Sequence, residues 1–186
     1  MIRGGGLATI FLIICGFGQL CAAHLEGIGI EAHCPPHWTF WGQHCYRFFN
    51  NPQLDWVSAE QYCNQFGTVH DGGEDQLAHL ASIHSELENT FVRALWESLR
   101  EPSTARKYCW MGYNEIAEEG SWVWTDQSPS NYEKWGSGQP NNSGGDQDCG
   151  DLDTSGTGRY FGAWDDGTCS VRLPFICKVL PVFINH

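Results

Sequence analysis

Gln139, Asn141, Asp146, Gln147 and Asp148 crowd one short stretch of this chain, and Asp165 and Asp166 follow in a second. Side chains of this kind suit calcium, which takes roughly six to eight oxygen ligands, carboxylates or amide carbonyls, from a backbone loose enough to wrap it. The first stretch opens Trp135-Gly-Ser-Gly-Gln-Pro-Asn141 and supplies amides on either side of Pro140. The second, Trp164-Asp165-Asp166, supplies carboxylates. Cys149 and Cys169 bracket the gap, where a cross-link would hold the ligands without a large core beneath them. Alone, either stretch reads as turn sequence. Together between two cysteines they point to a metal site.

Other chemistries find less support. Asp146-x-Asp148 does not open an EF-hand, because Asp151 stands where that loop needs glycine and Thr157 where it needs glutamate. The histidines have no zinc spacing; His33 and His37 are separated by Cys34-Pro35-Pro36, which forbids the helix that would align them. No serine sits in Gly-x-Ser-x-Gly, and the cysteines suit bridges better than nucleophiles, so no catalytic residue is assigned and the chain is read as a non-enzyme.

The elements that must position these oxygens are mixed. Aromatic residues from Trp38 to Phe49 favour two short strands within Cys34 to Asn51. Asp55 caps a first helix, with Trp56, Ala59 and Cys63 on its inner face. His70 to Gln76 is a loop. Ser85 and Glu88 form a capping pair for a second helix whose apolar stripe is Leu87, Phe91, Leu95 and Leu99, stopped by Pro102. Short strands follow at 108–113 and 121–125, around the acidic turn Glu115 to Gly120, and acidic clusters such as Glu74-Asp75 and Glu118-Glu119 read as solvated loops. Residues 126–159 have no sustained period and form the long loop that carries the metal motif. Strands resume at 159–164 and 171–179, and 180–186 is a tail with no assigned function and too short to span a membrane.

Residues 1–23, with Arg3, an apolar run from Leu7 to Ile14 and Ala22-Ala23, read as a secretory signal peptide, and 24–33 as a short lead. The expected location is extracellular, with no membrane span. Residues 1–23 contain one cation and no acid, so their removal takes the formal net charge from −12 to −13. So acidic a chain does not suit nucleic acid or anionic membrane surfaces. Nine cysteines imply a disulfide framework; Cys15 and Cys21 leave with the signal, so one of the remaining cysteines has no intrachain partner.

Several ordered motifs carry a resemblance to the C-type lectin family that covers nearly the whole mature chain. Gln139-Pro140-Asn141, Trp164-Asp165-Asp166, Cys149 and Cys169 resemble the family's sugar-binding loop. Cys34-Pro35-Pro36 through Trp38 to Cys45-Tyr46 resembles its amino-terminal hairpin, and Trp110-Met111-Gly112-Tyr113 its Trp-Ile-Gly-Leu strand. Trp122-Val123-Trp124 with Asp126 resembles the segment leading into the loop. The resemblance implies an α+β C-type lectin-like domain over 34–179, two helices flanking short antiparallel sheets with a long calcium-binding loop. It implies the pairs Cys34–Cys45, Cys63–Cys177 and Cys149–Cys169. Cys109 is left over, as a buried thiol or an interchain bridge; its place beside Trp110 in an expected strand favours the thiol.

By the same resemblance, calcium ligands fall on Gln139, Asn141, Gln147, Asp165 and Asp166, with Asp146 able to replace Gln147. Sugar hydroxyls coordinate the ion directly and hydrogen-bond to its ligands, which assigns sugar binding to Gln139, Asn141 and Asp165. A second calcium would use Asp146 and Asp148. The motif departs from both common types: mannose-type members carry Glu-Pro-Asn, galactose-type members Gln-Pro-Asp, and the usual Trp-Asn-Asp is Trp164-Asp165-Asp166 here. No ring stands in Asn142-Ser143-Gly144-Gly145 for a galactose face to stack on, so the reading leans to mannose or fucose. The reduced carboxylate count implies calcium affinity on the order of 10⁻⁴ to 10⁻³ M. Asn141-Asn142-Ser143 is also a glycosylation sequon, and a glycan on Asn141 would exclude the metal. The expected partners are glycans on glycoproteins or microbial surfaces, with several copies of the chain raising affinity. The rival expectation is a protein- or mineral-binding member of the same fold that ignores sugar.

Overall fold

The structure is a computed structural model that describes residues 22–25, 30–69, 75–99, 108–153 and 162–185. The expected signal segment lies outside them, except for Ala22 and Ala23. These two residues open β1 (Ala22–Leu25), which pairs with β2 (Ile30–His33). The hairpin follows as β3 (Thr39–Trp41) and β4 (His44–Leu54), joined by the Cys34–Cys45 disulfide at its base.

The first helix, α1 (Trp56–Cys63), starts where Asp55 accepts the Ser58 amide at 2.9 Å and the Ser58 hydroxyl at 2.8 Å. Trp56, Ala59 and Cys63 face inward, and Cys63 is bonded to Cys177 on β12 (Leu173–Val179). Of the expected loop 70–76, residues 70–74 fall outside the described set. Asp75 and Gln76 belong to β6 (Asp75–Leu77), which pairs with β5 (Gly67–Val69), and β7 (His79–Leu80) comes next.

The second helix, α2 (Glu86–Leu99), corrects the expected stripe. Its buried face is Glu88, Asn89, Val92, Leu95 and Trp96, while Leu87 is 75% exposed and Leu99 54%. Val92 and Trp96 turn the helix about one residue further round than the leucine spacing suggests. Glu88 can lie inside because Lys178 Nζ sits 2.6 Å away and the Tyr46 hydroxyl donates to it at 2.5 Å.

Strand β8 (Tyr108–Asn114) lies at the centre of the large sheet, whose order is β11-β10-β8-β12-β4-β3. In it β10 is Cys149–Asp153 and β11 is Trp164–Gly167, and the two-residue β9 (Val123–Trp124) pairs with β8. Alternate residues of β8 and β12 face opposite ways, as the pleat requires. Trp110 and Phe175 join the core around α1; Cys109, Met111 and Ile176 join the core around α2. Gly112 sits where strands and loop crowd together: a Cβ there would lie 2.6 Å from the Leu80 carbonyl oxygen and 2.8 Å from Thr125 Oγ1.

Three expectations shift at the edges. Residues 149–153, expected inside the loop, form a strand because β8 and β11 flank and pair with them. Of the strand expected at 159–164, residues 159–161 lie outside the described residues, and β11 begins only at Trp164. The lead and the tail meet: β13 (Val182–Asn185) pairs with β2, so the tail has a structural role. No helix among the described residues is long and apolar enough to cross a membrane.

Candidate metal and sugar site

The motif residues converge from three segments: the irregular loop through 139–147, the start of β10 and the strand β11. The Cys149–Cys169 disulfide ties the start of β10 to the turn just beyond β11. The Gln139–Pro140 peptide is cis. Asn141 Nδ2 donates to Gln139 Oε1, so the two amides meet across the proline.

Asp166 anchors the loop. Its carboxylate, in a residue only 2% exposed, accepts the Asn141 amide at 2.9 and 3.0 Å and the Asn142 amide at 2.5 Å. Gln147 is held from both ends, its amide N–H on Asn142 Oδ1 at 3.1 Å and its Nε2 on the Asp166 carbonyl at 2.8 Å. Its remaining oxygen, Oε1, is buried with no hydrogen-bond partner. An orphaned buried acceptor is costly unless a ligand satisfies it.

Asp165 borders a cleft of about 220 Å³ lined also by Gln139, Ser137, Asp153, Gly136, Ala163 and Trp164. Burial, and then the neighbouring Asp166 and Asp153 carboxylates, push the Asp165 carboxyl above the usual range. On β10, Asp151 lies opposite Asp165, and burial raises its carboxyl well above normal. A divalent cation would relieve this like-charge crowding.

Asp148, expected with Asp146 at a second ion, comes within 4.8 Å of Glu115 and Glu119, ligand oxygen to ligand oxygen, while Asp146 accepts the Thr168 hydroxyl at 3.3 Å. Asn142 connects the two groups of oxygens, since its Nδ2 donates to Glu119 at 2.8 Å. From sequence Glu119 belongs, with Glu118, to a solvated cluster, and Glu115 only opens the acidic turn. The missed signal is their four-residue spacing across a turn that Glu115 itself closes, by accepting the Gly120 amide at 2.5 Å.

Away from this site, Ser128 Oγ lies 3.1 Å from His84 Nε2, but Asp126 bonds Ser128 and Ser82, not the imidazole, so no nucleophile–base–orienter relay forms. Cys109 is a free, buried thiol.

This fold, with its long irregular loop tied to the sheet by a disulfide, defines a C-type lectin-like architecture, and comparison with known proteins gives the same class. The family described as Lectin C-type domain matches residues 52–179, and the chain belongs to it. It is 38% identical over 147 residues to echinoidin of Heliocidaris crassispina, covering 78% of this chain and 96% of that one. It is 33% identical to an alpha-N-acetylgalactosamine-specific lectin of Patiria pectinifera, over 92% of this chain and 95% of that one. Among solved structures it resembles the C-type lectin CEL-I from Cucumaria echinata, with a TM-score of 0.68 and 30% identity over 78% of this chain and 96% of that one. It also resembles herring type II antifreeze protein, with a TM-score of 0.60 and 28% identity over 78% and 97%. The family and its lectin members are carbohydrate-binding proteins and not enzymes, and as a class they bind calcium.

Proposed function

We propose that this chain is a secreted, calcium-dependent lectin whose principal ion is held by Gln139, Asn141, Gln147, Asp165 and Asp166. The observation that carries the reading is the buried, partnerless Oε1 of Gln147, a residue held by its backbone N–H on Asn142 and its Nε2 on the Asp166 carbonyl. It offers a neutral oxygen to a cation, and the Asp165 and Asp166 carboxylates offer charge. Asp146 is a reserve ligand, held at present by Thr168. The group Glu115, Glu119 and Asp148 fits a second ion better than Asp146 with Asp148, because three carboxylates already converge there.

A calcium ion held there would supply a Lewis-acidic centre for neighbouring hydroxyls of a sugar, and the residues that would hold it and orient those hydroxyls are Gln139 and Asn141 from the loop and Asp165 from β11. The ring-free segment 142–145 favours mannose or fucose, whereas the specificity named for the Patiria relative favours galactose-type sugars. The antifreeze neighbour supports the rival reading, a sugar-independent binder on this fold.

Affinity chromatography on mannose and galactose resins in millimolar calcium, followed by a chelator wash, tests the proposal. Retention that the chelator releases supports it, and the retaining resin names the sugar type. Passage through both resins and through a broader glycan panel, with no calcium-induced rise in melting temperature, would transfer the case to the rival.

A further inference from the structure

We infer that Asn89 is a positioning residue for the ligand cleft: from the buried face of α2 it fixes Gly162 and Trp164, and through them the place of Asp165. The inference rests on the lectin reading above and concerns what holds that site in shape, not what touches its ligand.

Asn89 is only 1% exposed, and both ends of its amide are bonded. Its Oδ1 accepts the Trp164 indole N–H at 2.8 Å, and its Nδ2 donates to the Gly162 carbonyl at 2.8 Å. An indole nitrogen can only donate and a carbonyl can only accept, so the two partners fix which end of the amide faces which. Leucine has a similar volume and makes neither bond. Gly162 also approaches α2 closely: it adopts a φ of +74°, and a Cβ there would lie 2.8 Å from Arg93 Cδ and 3.4 Å from Asn89 Nδ2.

The segment that Asn89 grips carries the walls of the cleft. The Trp164 N–H donates to the Lys134 carbonyl and its carbonyl accepts the Gly136 N–H, both at 2.8 Å, which places the wall running on to Gln139. The Gly162 N–H donates to the Asp153 carbonyl at 3.2 Å, and the Ala163 carbonyl accepts the Asp153 N–H at 2.9 Å, which places Asp153. Asp165 is the next residue along. The rings of Tyr113, Trp124, Tyr132 and Trp135 pack on Trp164 with centroids 5.6 to 5.9 Å away. Ring packing of this kind tolerates small slips of the indole, whereas a directional bond to its N–H does not. Groups that hold a ligand must stay within about 0.5 Å of their productive geometry, so a slip of Trp164 reaches Asp165 as lost affinity.

The test separates positioning from stability. Wild type, Asn89→Leu and Lys178→Met are compared; the last breaks another buried contact of the same helix, the one to Glu88, which does not line the cleft. Calcium affinity is measured by calorimetry at a temperature where each protein is folded, and exchange of the Trp164 indole proton by NMR in chelator. Asn89→Leu is expected to weaken calcium about tenfold or more and to lose slow exchange at that indole. Lys178→Met, although destabilised, is expected to bind calcium within about twofold of wild type. Unchanged calcium affinity in Asn89→Leu, or an equal loss in Lys178→Met, overturns the inference and leaves the lectin reading standing. If Asn89→Leu does not fold, Asn89→Asp replaces it. Its protonated carboxyl keeps both bonds and its ionised form cannot donate to Gly162, so its calcium affinity relative to wild type should fall as the pH rises, and a flat ratio overturns the inference. If wild type takes up no calcium, the lectin reading itself fails and takes the inference with it.

Discussion

Both carboxylate oxygens of Asp166 lie on the backbone amide of Asn141, across the junction between strand β11 and the irregular loop. One side chain thus closes the loop onto the sheet. Asp166→Ala is expected to cost about 1–3 kcal/mol in urea unfolding without metal, from the amides left unpaired. The same variant should show no calcium-induced rise in melting temperature at this site, read by differential scanning calorimetry.

Gln147→Glu should separate metal binding from apo stability. A carboxylate at the orphaned Oε1 position adds charge to the ligand set and should tighten calcium at least about tenfold. In chelator the same change buries an uncompensated charge and sets an oxygen against the Asp166 carbonyl that Nε2 bonds, so the variant should melt below wild type. Calcium titration and melting in chelator read the two effects. A variant that melts higher in chelator would contradict the placement.

Lys178 and Glu88 form an ion pair with both side chains over nine-tenths buried. Lys178→Met leaves the Glu88 carboxylate with the Tyr46 hydroxyl and the His84 amide as its neutral partners. Losing one partner of such a pair costs about 3–5 kcal/mol, measurable by denaturant unfolding. Removing both charges with Lys178→Met and Glu88→Gln should recover much of that loss.

His44 provides a pH signature. Burial, then the nearby Lys178 ammonium, lower its pKa from 6.5 to about 4, against the opposing pull of Glu88 and Asp126. The folded state thus keeps it neutral where the unfolded chain would protonate it. Its contribution is complete above about pH 6.5 and is lost as the pH falls toward 4. With allowance for solvent screening, the difference in stability between wild type and His44→Gln should change by about 1–2 kcal/mol over that window. His79, raised by its hydrogen bond to Glu60, acts in the opposite sense and cancels in the comparison.

Cys109 should resist thiol reagents in the native protein and react only on unfolding. It is 1% exposed on β8, and burial pushes its thiol up, away from the reactive thiolate. Rapid labelling under native conditions, or an interchain bridge on a non-reducing gel, would contradict this.

The frame was legible where residue type and spacing have local causes. Asp55 caps the helix it was expected to cap, and Cys63 lies on its inner face. The elements missed have non-local causes. Strand β10 exists because β8 and β11 flank it, and the rotated face of α2 depends on Lys178, ninety residues away in sequence, reaching Glu88. In the site, Gln139, Asn141 and the two aspartates announce themselves as oxygen donors. The grouping of Asp148 with Glu115 depends on how a distant turn folds back, which a reading along the chain does not contain.

The crowding at Gly112 bears on how such a protein can diversify. Its neighbours are a backbone carbonyl and a threonine hydroxyl, so even a methyl group there would have to displace the sheet. The oxygen donors at 139, 147 and 165 hang from the loop and an edge strand, where an amide and a carboxylate occupy nearly the same volume. Under the lectin reading a lineage can therefore change its ligand set at those positions while Gly112 stays fixed.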